Sequence, residues 1–382
     1  MKSYHALHLF SGGLDSILAA KTIAAQGLDV LGLHFVSPFF GKPDKLARWQ
    51  RIYGLDVTAV DVGDAFAAML AAGPAHGYGK HLNPCIACKI LMLSHARELL
   101  PDHGARFIVS GEVLGQRPMS QRRDALDVIS RDSGTRDLLL RPLSARFMKP
   151  TPMEESGLVD RERLHNISGR GRTDQLKLAA ALGVTEIPTP AGGCRLAEKE
   201  SARRYFDVLK YAAAPRAVDF ELSNTGRQLW AGPLWLAMAR NRADNERLEA
   251  LARPGDLLLK PRYPGPVALC RALPGSGARW TPEAVADAAA LTAGFAPKAR
   301  AMGGAVRLLV VEILDDSGRE SVSEIEVTPS RESLLGLAEP APWDERKAEK
   351  LEMLAARQGF QALAEDDLSD DITPPLAAAG GR

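Results

Sequence analysis

The stretch "LHLFSGGLDSILAA" (residues 7–20) constrains the fold of this chain more than any other. An apolar run of strand character passes through a turn holding Gly12 and Gly13 straight into a helix-forming run. A strand that feeds directly into a helix begins a βαβ unit, and such units commit a chain to a parallel sheet with helices packed on its faces. The pattern recurs downstream. The spacing predicts strands at Ala6–Phe10, Val30–Val36, Leu55–Val62 and Ala105–Val113, with helices at Leu14–Gln26, Asp44–Tyr53, Asp64–Ala72 and Cys85–Leu100. The expected fold class is α/β, a doubly wound parallel sheet, over residues 1–205.

The first turn asks for more than a change of direction. Beside the two glycines it carries Ser11, Asp15 and Ser16. A helix start presents unpaired backbone N–H groups and the positive end of the helix dipole, and glycines let that backbone come close to an anion. Serine hydroxyls add donors, and phosphate is the natural guest. A carboxylate beside polyphosphate makes sense when it holds Mg²⁺. The bland alternative is a helix start capped by Ser11. The motif is neither the Walker type, which needs Gly-Lys-Ser/Thr, nor the dinucleotide fingerprint, whose glycine spacing differs.

Beyond residue 205 the texture changes. "FELSNTGRQLWAGPLWLAMARN", "GDLLLKPRYPGPVALCRAL" and "AVRLLVVEILDD" suggest short strands between Gly and Pro turns, interrupted by a helix at Pro282–Phe295. A second, smaller α+β domain is expected over 206–337. Residues 338–382 should hold a charged helix near Trp343–Gln358 and an acidic, disordered tail.

Composition excludes several classes. The net charge of +1 rules out a globally basic nucleic-acid binder while leaving room for a local basic face. Four cysteines in 382 residues do not make a secreted disulfide scaffold. The opening MKSYHALHLF has no signal-peptide pattern, and no run of about eighteen apolar residues suggests a membrane span. A cytoplasmic protein without membrane contact is expected; oligomeric state is open.

"SGGLDS" resembles the PP-loop of the ATP pyrophosphatase superfamily, whose fold is of the adenine nucleotide alpha hydrolase type. The resemblance implies that ATP, with Mg²⁺, is held by Ser11, Gly12, Gly13, Asp15 and Ser16 and cleaved between its α- and β-phosphates. "SGEVLGQRPMSQ" (110–121) is similar to the stretch after the fourth strand in tRNA 4-thiouridine synthetases, which implicates Gly111 and Gln116 in the nucleotide site. "LRPLSARFMKPT" (140–151) resembles the segment that follows there. "NPCIACK" (83–89) resembles the cysteine-bearing stretch of tRNA-specific 2-thiouridylases. These likenesses cover about the first half of the chain and imply RNA thiolation.

Cys85 and Cys88 form a CxxC at an expected helix start, where the dipole lowers a thiol's pKa. Cys194 follows paired glycines about a hundred residues later. In one reading Cys88, in the place resembling the 2-thiouridylase nucleophile, carries sulfur as a persulfide and Cys194 resolves it through a transient disulfide. In another, Cys85, Cys88 and Cys194 are ligands of a [4Fe–4S] cluster, as in the three-cysteine thiolases this chain resembles. Cys85 favours the cluster, because the two-thiol route has no use for it. Cys270, in an apolar run, is expected in the core.

Cations gather between the fourth strand and Cys194: Arg117, Arg122, Arg123, Arg141, Arg146, Lys149, Arg161, Arg163, Arg170 and Arg172. They could hold RNA phosphates, or form a solvated face with the interspersed aspartates. "GRGRTDQ" (169–175) is the best phosphate-facing candidate. The segment 235–269 resembles the NFACT-R domain of ribosome quality-control factors, linked there to RNA, with Trp235, Arg240, Asn241 and Asn245 as implied contacts. It departs from that pattern in having "LLLKPR" where relatives carry Trp-x-His.

The expected function is ATP-dependent sulfur transfer to a uridine or similar base in tRNA or another structured RNA, with Asp15, Cys88 and Cys194 catalytic and a sulfur donor that the chain does not itself contain. The rivals are another adenylating reaction of the same superfamily (amidation or lysidine-type modification) and a non-catalytic ATP-binding RNA or ribosome factor. Neither rival calls for a CxxC.

Overall fold

The computed structural model describes residues 2–189, 193–273 and 275–358. Its first unit is a wholly parallel five-stranded sheet: β1 (Ala6–Leu9), β2 (Val30–Val36), β3 (Asp56–Asp61), β4 (Phe107–Ser110) and β5 (Leu139–Leu140), in the order β3-β2-β1-β4-β5. Among the described residues, seven α-helices belong to this part of the chain: α1 (Leu14–Ala24), α2 (Leu46–Tyr53), α3 (Gly63–Ala72), α4 (Cys85–Glu98), α5 (Arg123–Asp132), α6 (Pro152–Glu155) and α7 (Thr173–Ala181). The period-two alternation of a strand sends its side chains into two cores. Ala6, Phe107 and Val109 join Ile17, Trp49 and Ala179 on one face. Leu7, Leu9 and Ile108 join Leu93, Ala96 and Ile129 on the other. Both faces are therefore covered, as the α/β expectation required.

The second unit is a six-stranded antiparallel sheet: β6 (Arg227–Ala231), β7 (Leu234–Met238), β8 (Leu257–Pro261), β9 (Ala268–Ala272), β10 (Val306–Ile313) and β11 (Glu320–Val327), ordered β11-β10-β8-β9-β7-β6. Helices α8 (Lys199–Tyr211), α9 (Ala217–Ser223), α10 (Arg242–Leu251), α11 (Pro282–Gly294), α12 (Pro297–Ala301) and α13 (Lys347–Gln358) accompany it. α11 fills one face of this sheet. The other face shares a core with Phe39 and Phe66 from the first unit, through Phe206, Phe220 and Trp343. Inside that join Arg271, wholly buried, donates to Asp219 at 3.0 Å and to Asp256 at 2.6 Å. A buried guanidinium is tolerable only when paired in this way.

The segment beginning at Phe220 is not a strand. Residues 217–223 are helical, because the Asp219 carboxylate accepts the Arg216 N–H at the helix start and Arg271 holds it in place. Trp235 is not an RNA contact: it is wholly buried, stacked on Trp230 at 4.5 Å, with its indole N–H donating to Gln228. Asn241 caps α10 by accepting the Asp244 N–H, and Asn245 accepts the Val267 N–H, so both serve the local fold. Cys270 lies in the core as expected. The acidic tail from residue 359 lies outside the described residues. Among the described residues no helix is long and apolar enough to cross a membrane.

Candidate functional site

Strand order reverses beside β1, so the crevice between the carboxyl ends of β1 and β4 is the place where open α/β sheets bind ligands. The SGGLDS turn fills that position. Gly12 takes φ of +74°, a left-handed conformation that favours glycine, and a side chain there would strike the Trp49 ring at 2.4 Å. Gly13, not Ser11, is the N-cap, and no side chain caps α1. The Ser11 hydroxyl donates instead to Ser16 Oγ (3.2 Å), and the Ser16 hydroxyl to the Gly13 carbonyl (2.8 Å). The turn is thus braced within itself while the helix end stays open, which is what an anion cradle requires.

Asp15, one residue into α1, accepts from Gln116 Nε2 at 3.1 Å through Oδ2; its Oδ1 is buried without a hydrogen-bond partner. Burial raises its carboxyl above the ordinary value, against the lowering effects of the Gln116 bond and of the charges on Arg172 and Arg117. An unpartnered buried carboxylate oxygen costs free energy unless something arrives to satisfy it. Mg²⁺ fits that oxygen, since this ion needs only one or two protein carboxylates and completes its shell with phosphates and water.

Gly111, at the end of β4, presses on the same turn: a Cβ there would lie 2.7 Å from backbone atoms of Asp15 and Ser16. Its glycine identity serves this close approach. Glu112, next in sequence, is buried against Arg141 at 2.9 Å. Burial works to raise its pKa, but Arg141 and Lys89 outweigh it and hold the carboxyl below the usual range.

The sequence missed Gln175. It is wholly buried at the start of α7, close enough to Asp15 to favour the ionised carboxylate, while its amide completes no hydrogen bond of ordinary geometry. The Gly169 N–H donates to the Leu114 carbonyl (2.7 Å), laying the 169–175 segment along the loop that carries Gln116. Its signal lay in GRGRTDQ, where it stands three residues after Arg172. Most of the other flagged cations serve the fold. Arg122 pairs with Asp124, Arg141 with Glu112, Arg146 with Glu162 and Arg161 with Glu154, while Arg123 and Arg163 donate to backbone carbonyls. Among the described residues, Arg117, Lys149, Arg170 and Arg172 form no ion pair.

The cysteines meet at the same edge. Helices of a doubly wound sheet run against its strands, so the start of α4, with Cys85 and Cys88, lies at the carboxyl ends of β1 and β4. The Cys194 loop is tied there by Leu82 N–H to the Leu196 carbonyl (3.1 Å) and Arg195 N–H to the Phe39 carbonyl (3.0 Å). Asn83 donates to Cys85 Sγ at 3.4 Å. The three sulfurs are close enough to bias one another's ionisation.

The expected acidification by the helix start is not seen at Cys88: crowding pushes its thiol up to about 12, and burial raises that of Cys194 as well. Desolvation of a thiolate outweighs the helix dipole here. Among the described residues no group of three or more His, Cys, Asp or Glu side chains stands in metal-binding geometry.

Residues 2–146 match the model of the ThiI (thiamine biosynthesis protein) family. The chain is 36% identical to the tRNA-specific 2-thiouridylase MnmA of Nitratidesulfovibrio vulgaris over 123 residues, which is 28% of this chain and 34% of that one. It is 29% identical to a protein of Thermococcus kodakarensis named "Probable tRNA sulfurtransferase" over 132 residues, 33% of each chain. The chain thus spans about a third of the length of these curated relatives. A solved "predicted subunit of tRNA methyltransferase" from Methanocaldococcus jannaschii shares 14% identity at a TM-score of 0.27, over 37% of this chain and 69% of that one, a likeness too slight to bear on function. The resemblance carried by SGGLDS, GEVLGQ and NPCIACK is met over the N-terminal part of the molecule.

Proposed function

We propose that this chain is an ATP-dependent RNA sulfurtransferase that adenylates a uridine or similar base, in tRNA, and replaces its oxygen with sulfur. One observation carries the reading: a single edge of the first sheet combines an open helix start bearing an orphaned carboxylate oxygen with thiols from the start of α4 and from the Cys194 loop. The relatives named for tRNA thiolation support the same chemistry. In this proposal residues 1–205 activate the base, residues 206–337 contribute RNA contacts, and the protein works in the cytoplasm.

The amides of residues 12–16 hold the outer phosphates of ATP, with Ser11 and Ser16 bracing the turn. Asp15 holds Mg²⁺, which supplies positive charge to the phosphates. The base carbonyl oxygen attacks the α-phosphorus and pyrophosphate leaves, converting that oxygen into a good leaving group. Cys88, loaded with sulfur by an external donor, attacks the activated carbon through its terminal sulfur as AMP departs. Cys194 then attacks Cys88 Sγ, releasing the thiolated base and leaving a Cys88–Cys194 disulfide for an external thiol to reduce. Burial keeps Cys88 protonated in the free protein, so its ionisation follows donor or RNA docking.

The test incubates the protein with bulk tRNA, ATP, Mg²⁺ and a persulfide donor, then digests the RNA and measures thionucleosides by mass spectrometry alongside AMP and pyrophosphate. Wild type should form all three. Cys88→Ser should keep RNA-dependent pyrophosphate release and lose both AMP and the thionucleoside, and Cys194→Ser should release AMP once while the sulfur-bound base stays on Cys88. Thionucleoside formation that is undiminished in the double serine variant, or absent in wild type, refutes the proposal.

A further inference from the structure

Away from the crevice, α8 and the second sheet enclose a pocket of about 170 Å³ walled by Arg203, Arg204, Arg227 and Arg240. Glu339 is the one carboxylate in its wall, and Pro340 the one apolar residue. Glu339 pairs with Arg203 at 3.1 Å, and Glu200 reaches the same guanidinium at 3.3 Å, yet Arg203 Nε stays buried without a partner. Arg240 has Asp244 only at 3.7 Å. Among the described residues, no carboxylate pairs with Arg204 or Arg227. Arg204 donates weakly to the Ser223 carbonyl (3.4 Å), and Arg227 lies over the Phe295 ring at 4.7 Å.

Four guanidiniums around so small a volume repel one another, and burial strengthens that repulsion by removing water. Burial, with the charges of Arg240 and Arg203, holds Arg204 below the ordinary arginine value. An arrangement of this kind is relieved by an anion that accepts several N–H groups at once. Phosphate does so, because its oxygens match the planar guanidinium fork.

We propose that this pocket binds a backbone phosphate of the substrate RNA. The proposal rests on the RNA-modifying reading above. The wall holds no aromatic ring on which a base would stack, and Pro340 is its single apolar residue, so the guest is a phosphodiester rather than a whole nucleotide. Asp244, which faces Arg240, lines a second depression together with Ser37 and Arg195, the residue after Cys194. An RNA strand anchored by its phosphate at the arginines can run along this depression towards Cys194. Of these four only Arg240 was among the expected RNA contacts; Arg203, Arg204 and Arg227 lie outside both the stretch between β4 and Cys194 and the 235–269 segment.

The test measures binding of bulk tRNA to the full-length protein as a function of salt, for wild type and for Arg204→Gln, Arg240→Gln and the double variant. The pocket holds one phosphate, and a lost phosphate contact lowers the slope of log affinity against log salt by about 1, so the double variant should lose about 1 and each single variant a part of that. ATP binding should be unchanged and thermal melting should confirm folding; Arg240→Gln, on the exposed rim, keeps the test valid if Arg204→Gln fails to fold. An unchanged slope overturns the pocket while leaving the sulfurtransferase reading intact. If inorganic phosphate stabilises wild type but not the variant while the slope is unchanged, the pocket serves a free anion and the RNA assignment is wrong. Failure of wild type to bind tRNA removes both.

Discussion

Gly111→Ala tests the central geometric claim, that the end of β4 is pressed onto the phosphate cradle. The added Cβ would lie 2.7 Å from the Asp15 carbonyl carbon, the Asp15 carbonyl oxygen and Ser16 Cα. Ordinary contact begins near 3.4 Å, so the two backbones must part by about 0.7 Å. All three obstacles are main-chain atoms of a buried helix start, and none can swing aside as a side chain would. Overpacking of this kind costs about 1–3 kcal/mol. For a unit of 150–250 residues that lowers the melting temperature by roughly 2–12 °C. The displacement also pulls Gln116 from Asp15, and a misplacement near 1 Å in a site can cost about a hundredfold in rate. Gly171→Ala is the control, because a Cβ there meets nothing within 4 Å. Melting by circular dichroism and ATP titration by calorimetry should show Gly111→Ala less stable and much weaker for ATP, with Gly171→Ala near wild type. Equal melting temperature and ATP affinity in Gly111→Ala and wild type would refute the reasoning.

Asp15→Asn should stabilise the free protein at neutral pH while abolishing ATP-dependent AMP formation. Burial raises the folded carboxyl above its unfolded value, so folding loses stability as pH rises through that folded value, and the amide escapes this cost. Melts at pH 7 and near pH 3.5 check it: the advantage should fade in acid, and a variant less stable at both pH values contradicts the account. His8 gives the opposite sign. It is wholly buried with Nδ1 bonded to the Val109 carbonyl (3.0 Å), and burial lowers it to about 4. Stability from keeping it neutral is present above pH 6.5 and is lost as pH falls from there towards 4, about 3 kcal/mol in all. His8→Asn should flatten the stability profile in that window, and a profile as steep as wild type would dismiss His8 as its source.

Local pattern carried much of the first unit. Strand β2 runs over Val30–Val36 as its apolar run, broken only by His34, predicted, and the SGGLDS turn sits at a strand-to-helix junction as its glycines and hydroxyls required. Where the pattern is short or ambiguous it failed. β5 has two residues, too few for any period. β11 exposes most of its length, with only Ile325 and Val327 reaching the core, so "ESVSEIEV" carries too short an alternation to be read as a strand. Phe220 and Leu222 alternate as a strand would, yet Asp219 commits the segment to a helix through an arginine fifty-two positions away.

By itself the sequence determined the local chemistry: a parallel α/β unit, a turn built for an anion, and thiols and cations in sufficient number. Those properties depend on neighbours within a few residues, which a linear string records. Tertiary structure alone decided which groups remain free to act. It committed Arg141 and Trp235 to the interior, withheld a partner from Asp15 Oδ1, raised the Cys88 thiol, and gathered Arg203, Arg204, Arg227 and Arg240 around one space. Burial and pairing are properties of three-dimensional surroundings. The same side chain is inert or poised according to the water and the charges that the fold leaves beside it.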